Sequence, residues 1–105
     1  MTFNIRYDNP KDNDNCWEHR KSSVLKIFDF YSPEVIGIQE GLINQIKYIE
    51  NNLIDYNYIG VGRDDGEKKG EYSAIFYNKK KLKLISSKTY WLSETPEMVS
   101  IGWDA

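Results

Sequence analysis

Residues 34–40 read EVIGIQE, and the reading of this stretch decides the fold. Val35-Ile36-Gly37-Ile38 is a continuous apolar run, the pattern of a strand covered on both sides rather than one with a wet face. Ser32-Pro33 just before it stops any helix. The run ends on Glu40, a carboxylate that is costly to bury unless something positive meets it.

Working outward, Thr2–Tyr7 (TFNIRY) alternates, with Phe3, Ile5 and Tyr7 on one face and Asn4 and Arg6 on the other, which predicts a first strand. DNPKDNDN is a loop by its turn formers and charges. Asn15 is placed to cap a helix, with Glu18 three residues on completing a capping box. Trp17, Val24, Phe28 and Tyr31 then give one amphipathic face. After EVIGIQE a second helix is expected from about Leu42 to Asn52, with Leu42, Ile46, Ile49 and Leu53 as its stripe. Tyr56–Val61 predicts a third strand, and GRDDGEKKGE a polar loop. Tyr72–Asn78 and Leu82–Leu92 predict a hairpin around the Lys79-Lys80-Lys81 turn. Strand, helix, strand, helix and further strands make an α/β layout, with the first strands interior and helices on one face.

The chain has 105 residues, one domain by length. Its 14 Lys and Arg against 16 Asp and Glu leave a net charge of −2, which advertises no polyanion-binding surface. Cys16 stands alone, so neither an internal disulfide nor a cysteine metal site can form. No apolar run approaches the roughly 20 residues that span a bilayer. The chain opens inside a strand and stops on SIGWDA, which reads as clipped at both ends, a fragment of a longer gene product. The compartment is left open, since a secretory leader could have been lost.

Two parallel neighbouring strands would bring Asn4 and Glu40 to one sheet edge, where open α/β sheets place their ligands. Glu40 could meet a hard divalent cation there, and Asn4 a phosphate oxygen or a water. The plain alternative is that Glu40 caps the second helix and pairs with an arginine. Arg63, Asp64 and Asp65 lie in a glycine-rich loop that could approach phosphate, or could form an exposed turn. His19, in the first turns of a helix, reads as a surface residue. Neither a P-loop nor a dinucleotide fingerprint occurs.

Taken together, TFNIRYDN, WEHR, PEVIGIQE, YIGVGRDDG, GEYSAIFYN and TYWLSETPE followed by GWDA resemble the endonuclease/exonuclease/phosphatase superfamily of metal-dependent phosphodiesterases, along essentially the whole chain. The resemblance implies the N-terminal half of a four-layer α/β sandwich of the deoxyribonuclease I type. It also implies phosphoester hydrolysis with Mg²⁺ or Mn²⁺, on nucleic acid, a phospholipid head group or a small phosphate ester. Carried over, Glu40 is the metal-binding glutamate, and Asn4 helps to bind the metal or position the phosphate. Glu71 is an acidic position that orients a catalytic histidine. Arg6 and Arg63 are substrate contacts. The segments that carry the family's catalytic histidines and a second set of Asp and Asn residues are missing. The chain alone is therefore expected to be inactive, with an uncovered sheet through which it could self-associate or bind a partner as a non-catalytic remnant.

Overall fold

The computed structural model describes residues 1–103. It is an α/β fold with one mixed sheet, built from β1 (Thr2–Asn4), β2 (Val35–Gly41), β3 (Tyr56–Ile59) and β4 (Tyr72–Asn78). The helices are α1 (Trp17–Tyr31) and α2 (Ile43–Asn52). The strand order is β1-β2-β4-β3. β1 runs parallel to β2, while β4 is antiparallel to both of its neighbours.

Every second residue of β2 and β4 points to the helices. Ile36 pairs with Phe76 and Ile38 with Ala74. All four are buried, in one cluster with Trp17, Val24 and Phe28 of α1 and Ile46 and Ile49 of α2. Phe3 stands edge-on to Phe28, with ring centroids 5.6 Å apart. The residues between them face the other way: Val35 and Ile75 remain about two-fifths exposed. Among the described residues the apolar run VIGI is thus covered by the helices on one face and open on the other, the arrangement expected for one sheet of a sandwich.

Other expectations are corrected for local reasons. β1 is an edge strand, not an interior one, and it is shorter than predicted because Arg6 adopts a left-handed φ of +60° and turns the chain. Asn15 does not cap α1. It ends a 3-10 segment, Pro10–Asn15, so Cys16 takes the cap position without a side-chain bond, and Glu18 pairs with Lys21 at 2.8 Å. Tyr31 lies outside the buried face and stacks edge-on with exposed Phe30. Residues 82–92 form no strand. β4 is already paired on both sides, by β2 and β3, so the segment leaving the lysine turn finds no free edge beside it. The turn itself is a solvated one, with Lys80 on Asp55 at 3.0 Å and Lys81 on Glu34 at 3.9 Å. Asp104 and Ala105, which close the GWDA stretch, lie outside the described residues. Among the described residues no helix is long and apolar enough to cross a membrane.

Candidate functional site

By simple alternation Glu40 would share the helix side with Ile36 and Ile38. A bulge prevents this. Between the pairs Ile38–Ala74 and Gly41–Tyr72, β2 holds two residues, Gln39 and Glu40, where β4 holds only Ser73. Glu40 takes up the extra length at φ +63°, a conformation an L residue adopts at a cost. Its carboxylate is thereby delivered to the outer face, beside the end of β1. Asn4 Nδ2 donates to Glu40 Oε1 at 2.8 Å, and the Tyr7 N–H approaches Oε2 at 3.4 Å.

Asn4 is oriented in turn, its Oδ1 accepting the Arg6 N–H at 2.9 Å. The turn after β1 is braced from beneath by two side chains that sequence reasoning did not single out. Buried Gln45 accepts the N–H groups of Asp8 (3.0 Å) and Leu42 (2.9 Å) and donates to the Arg6 carbonyl (2.9 Å). Arg20 donates to the Ile5 carbonyl at 2.8 Å and the Asn15 carbonyl at 2.7 Å. Gln45 left a trace in the sequence, since it stands three residues after Leu42 at the start of α2, where Gln completes half a capping box. For Arg20 only its place in WEHR pointed to it.

An open groove of about 1210 Å³ runs along this edge, lined by Asn4, Glu40, Arg63 and Glu71 among others. Four of the five predicted site residues therefore meet. Arg63 and Glu71 face one another across the ends of one loop, Nη1 to Oε2 at 3.2 Å, and their backbones bond at 3.0 Å. The loop closes so tightly that a Cβ on Gly62 would stand 2.3 Å from the Lys69 carbonyl oxygen, which explains a glycine there. Asp65 holds its centre, accepting the N–H groups of Glu67 at 2.8 Å and Lys69 at 3.0 Å. Those donors, Lys69 first, keep the Asp65 carboxyl below its usual value. The reading of Asp65 as a structural turn residue agrees with this.

Arg6 is the fifth predicted residue and does not line the groove. Its guanidinium forks onto Asp12, at 3.1 and 3.0 Å, and lies over the Tyr7 ring. The hydrogen bond to Arg6 holds the Asp12 carboxyl low. His19 is exposed on α1, its Nδ1 3.1 Å from the Asp14 carbonyl oxygen, and is absent from the groove.

Glu40 forms no ion pair with a lysine or arginine among the described residues, and its oxygens retain lone pairs beyond those used by Asn4 and Tyr7. Among the described residues no three His, Cys, Asp or Glu side chains converge. One half-buried carboxylate beside an amide fits Mg²⁺ or Mn²⁺, hard cations held by one or two carboxylates with water and phosphate oxygens filling the rest.

No family model matches the chain. It is similar to solved structures. The endonuclease/exonuclease/phosphatase from Bacteroides vulgatus superposes with a TM-score of 0.96 at 47% identity, over 99% of this chain and 40% of that one. A mannosyl-6-phosphatase of Bacteroides thetaiotaomicron VPI-5482 gives a TM-score of 0.94 at 40% identity, over 99% of this chain and 40% of its own. Among curated proteins, the uncharacterized protein L388 of Acanthamoeba polyphaga mimivirus is 29% identical over 93 residues, 83% of this chain and 34% of that protein. The chain thus spans two-fifths or less of the length of these relatives.

Two outcomes are expected from this geometry. Glycine relieves the left-handed conformation at position 40 whereas alanine does not, so Glu40→Gly should be more stable to urea than Glu40→Ala by about 1 kcal/mol. Equal midpoints would show that the bulge carries no strain. For Asp65 the folded value is depressed, so its hold on the loop is present above the ordinary aspartate value of 3.8 and is lost as pH falls through the lower folded value. Amide NMR shifts of Glu67 and Lys69 should titrate together in that acid window, and the transition should vanish in Asp65→Ala.

Proposed function

We propose that this chain, which belongs to the endonuclease/exonuclease/phosphatase family and spans an N-terminal part of its fold, forms one side of a phosphoester-hydrolysing site. The observation that carries the reading is the meeting of Asn4 and Glu40 in the groove that also holds Arg63 and Glu71. Glu40 would hold Mg²⁺ or Mn²⁺, with Asn4 fixing its carboxylate and presenting an amide to the phosphate. Bound there, the cation would offset charge on the phosphate and leaving oxygen during in-line attack by water. Arg63 contacts the phosphate. Glu71 fixes the Arg63 guanidinium and is the carboxylate that would orient a histidine. Arg6 reaches substrate only when its fork releases Asp12. The groove contains no histidine among the described residues, so the general acid and base are assigned to residues outside these 105. One relative is a mannosyl-6-phosphatase by name, which makes a sugar phosphate the first substrate to test, ahead of nucleic acid or a phospholipid head group.

A second reading, self-association of a non-catalytic remnant, is favoured by one observation. Val35 and Ile75 on the outer sheet face, with Leu84, Ile85 and Ile101 beyond β4, leave much apolar surface in water.

The two separate experimentally. Mixing the 105-residue chain with the remaining part of the Bacteroides thetaiotaomicron mannosyl-6-phosphatase should restore Mg²⁺-dependent hydrolysis of mannose 6-phosphate. Glu40→Ala should lower it by at least about a hundredfold, the scale expected for loss of a metal ligand's contribution. Full activity in Glu40→Ala would sink the assignment of the metal. For the second reading, sedimentation of the chain alone should show a dimer or larger species that Ile75→Ser dissociates, and a monomer at all concentrations would exclude it.

A further inference from the structure

The groove has a second wall that the hydrolytic reading does not use. Tyr90, Trp91 and Leu92, with Val99 and Ile101, line it from the irregular segment that follows β4. This wall is tied to the phosphate side by one bond: the Trp91 indole N–H donates to the Arg63 carbonyl at 2.8 Å. The ring edge of Trp91 and the Val99 methyl stand 3.6 and 3.3 Å from where a Cβ on Gly66 would lie, so they pack directly on the loop that carries Arg63. The segment holds its own shape through backbone bonds from Trp91 to Pro96 (2.8 Å) and from Ser93 to Trp91 (2.9 Å), and through Ser93, which is buried and bonded to Ser100.

The charges of the groove limit what it can take. Arg63 and Lys69 stand against Glu40, Asp64 and Glu71. One divalent cation on Glu40 would bring the balance to a single positive charge, which suits one phosphate group and not a run of them. Beside that single-phosphate end lies an aromatic and aliphatic wall, suited to a body with a C–H face.

Building on the phosphoester reading, we propose that the Tyr90–Trp91 wall is the specificity subsite, which takes the ring of a monophosphorylated sugar and excludes a polynucleotide. Trp91 makes the contact with the ring, and its N–H bond to the Arg63 carbonyl holds the wall beside the loop.

The test measures binding by calorimetry to the 105-residue chain with Mg²⁺, using inorganic phosphate, mannose 6-phosphate and a single-stranded oligonucleotide. Mannose 6-phosphate should bind more tightly than either of the others and should shift tryptophan emission, with the shift surviving Trp103→Phe. Trp91→Ala should weaken mannose 6-phosphate about tenfold while changing inorganic phosphate by less than about twofold. Trp91→Phe, which keeps a ring and loses only the N–H, should retain most of the preference for the sugar. Tyr90→Ala, at an exposed position, should show the same selective loss and keeps the test open if Trp91→Ala unfolds. Tighter binding of the oligonucleotide, or an equal loss for sugar phosphate and phosphate in both alanine variants, would overturn the proposal. The two levels separate through Glu40→Ala. If phosphate binding requires Glu40 but mannose 6-phosphate gains nothing over phosphate, the wall alone is refuted. If phosphate binding ignores Glu40, the hydrolytic reading falls and the subsite with it.

Discussion

The hydrogen bond from Asn4 to Glu40 exists because β2 carries one residue more than β4 between Ile38 and Gly41. Without that residue the strand's alternation would put a carboxylate among Ile36, Ile38 and Phe76, in a core with no counter-charge to receive it. With it, the same strand satisfies two demands that period-two geometry sets against each other. It seals the helix layer with its isoleucines and still projects an acid on the opposite face. The cost is a residue held in a conformation that its side chain disfavours, and such residues persist where the surroundings over-determine them. Here the surroundings are Asn4, the Tyr7 amide and the continuing strand at Gly41.

The arrangement is held from the helix side as well. Gln45 makes three hydrogen bonds to the backbone of the turn after β1 and of the entry to α2, and Arg20 closes the same turn from α1. A short edge strand would otherwise be free to fray. Both braces act on backbone rather than on the groove's side chains, so the positions of Asn4 and Glu40 depend on the packing of two helices that never enter the groove.

The two helices, the strands at Tyr72–Asn78 and Val35–Gly41 and the meeting of Asn4 with Glu40 were legible because each rests on local pattern or on the simplest topology for adjacent strands. What escaped was set by competition between segments. Leu82–Leu92 is rich enough in apolar and aromatic residues to read as a strand, yet a strand needs a partner, and β3 had already taken the edge that a hairpin would have used. Trp91 was unreadable as a groove residue for the same reason, because an irregular segment carries no periodicity that says where it lies. Arg6 shows a different limit. A guanidinium can serve a phosphate or a neighbouring carboxylate, and Asp12, six residues away in the loop, was near enough to claim it.

The central place of β4 also governs when the chain can fold during its synthesis. β2 and β3 touch only through β4, and β2 loses its main partner without it. Until the ribosome has released residue 78, the two helices have no complete floor to settle on, and Ile36 and Ile38 wait in water beside a bulge that has nothing to be measured against. Pairings of this sequence separation close slowly. The nascent chain therefore passes through an interval in which the apolar run of EVIGIQE lacks its main partner strand.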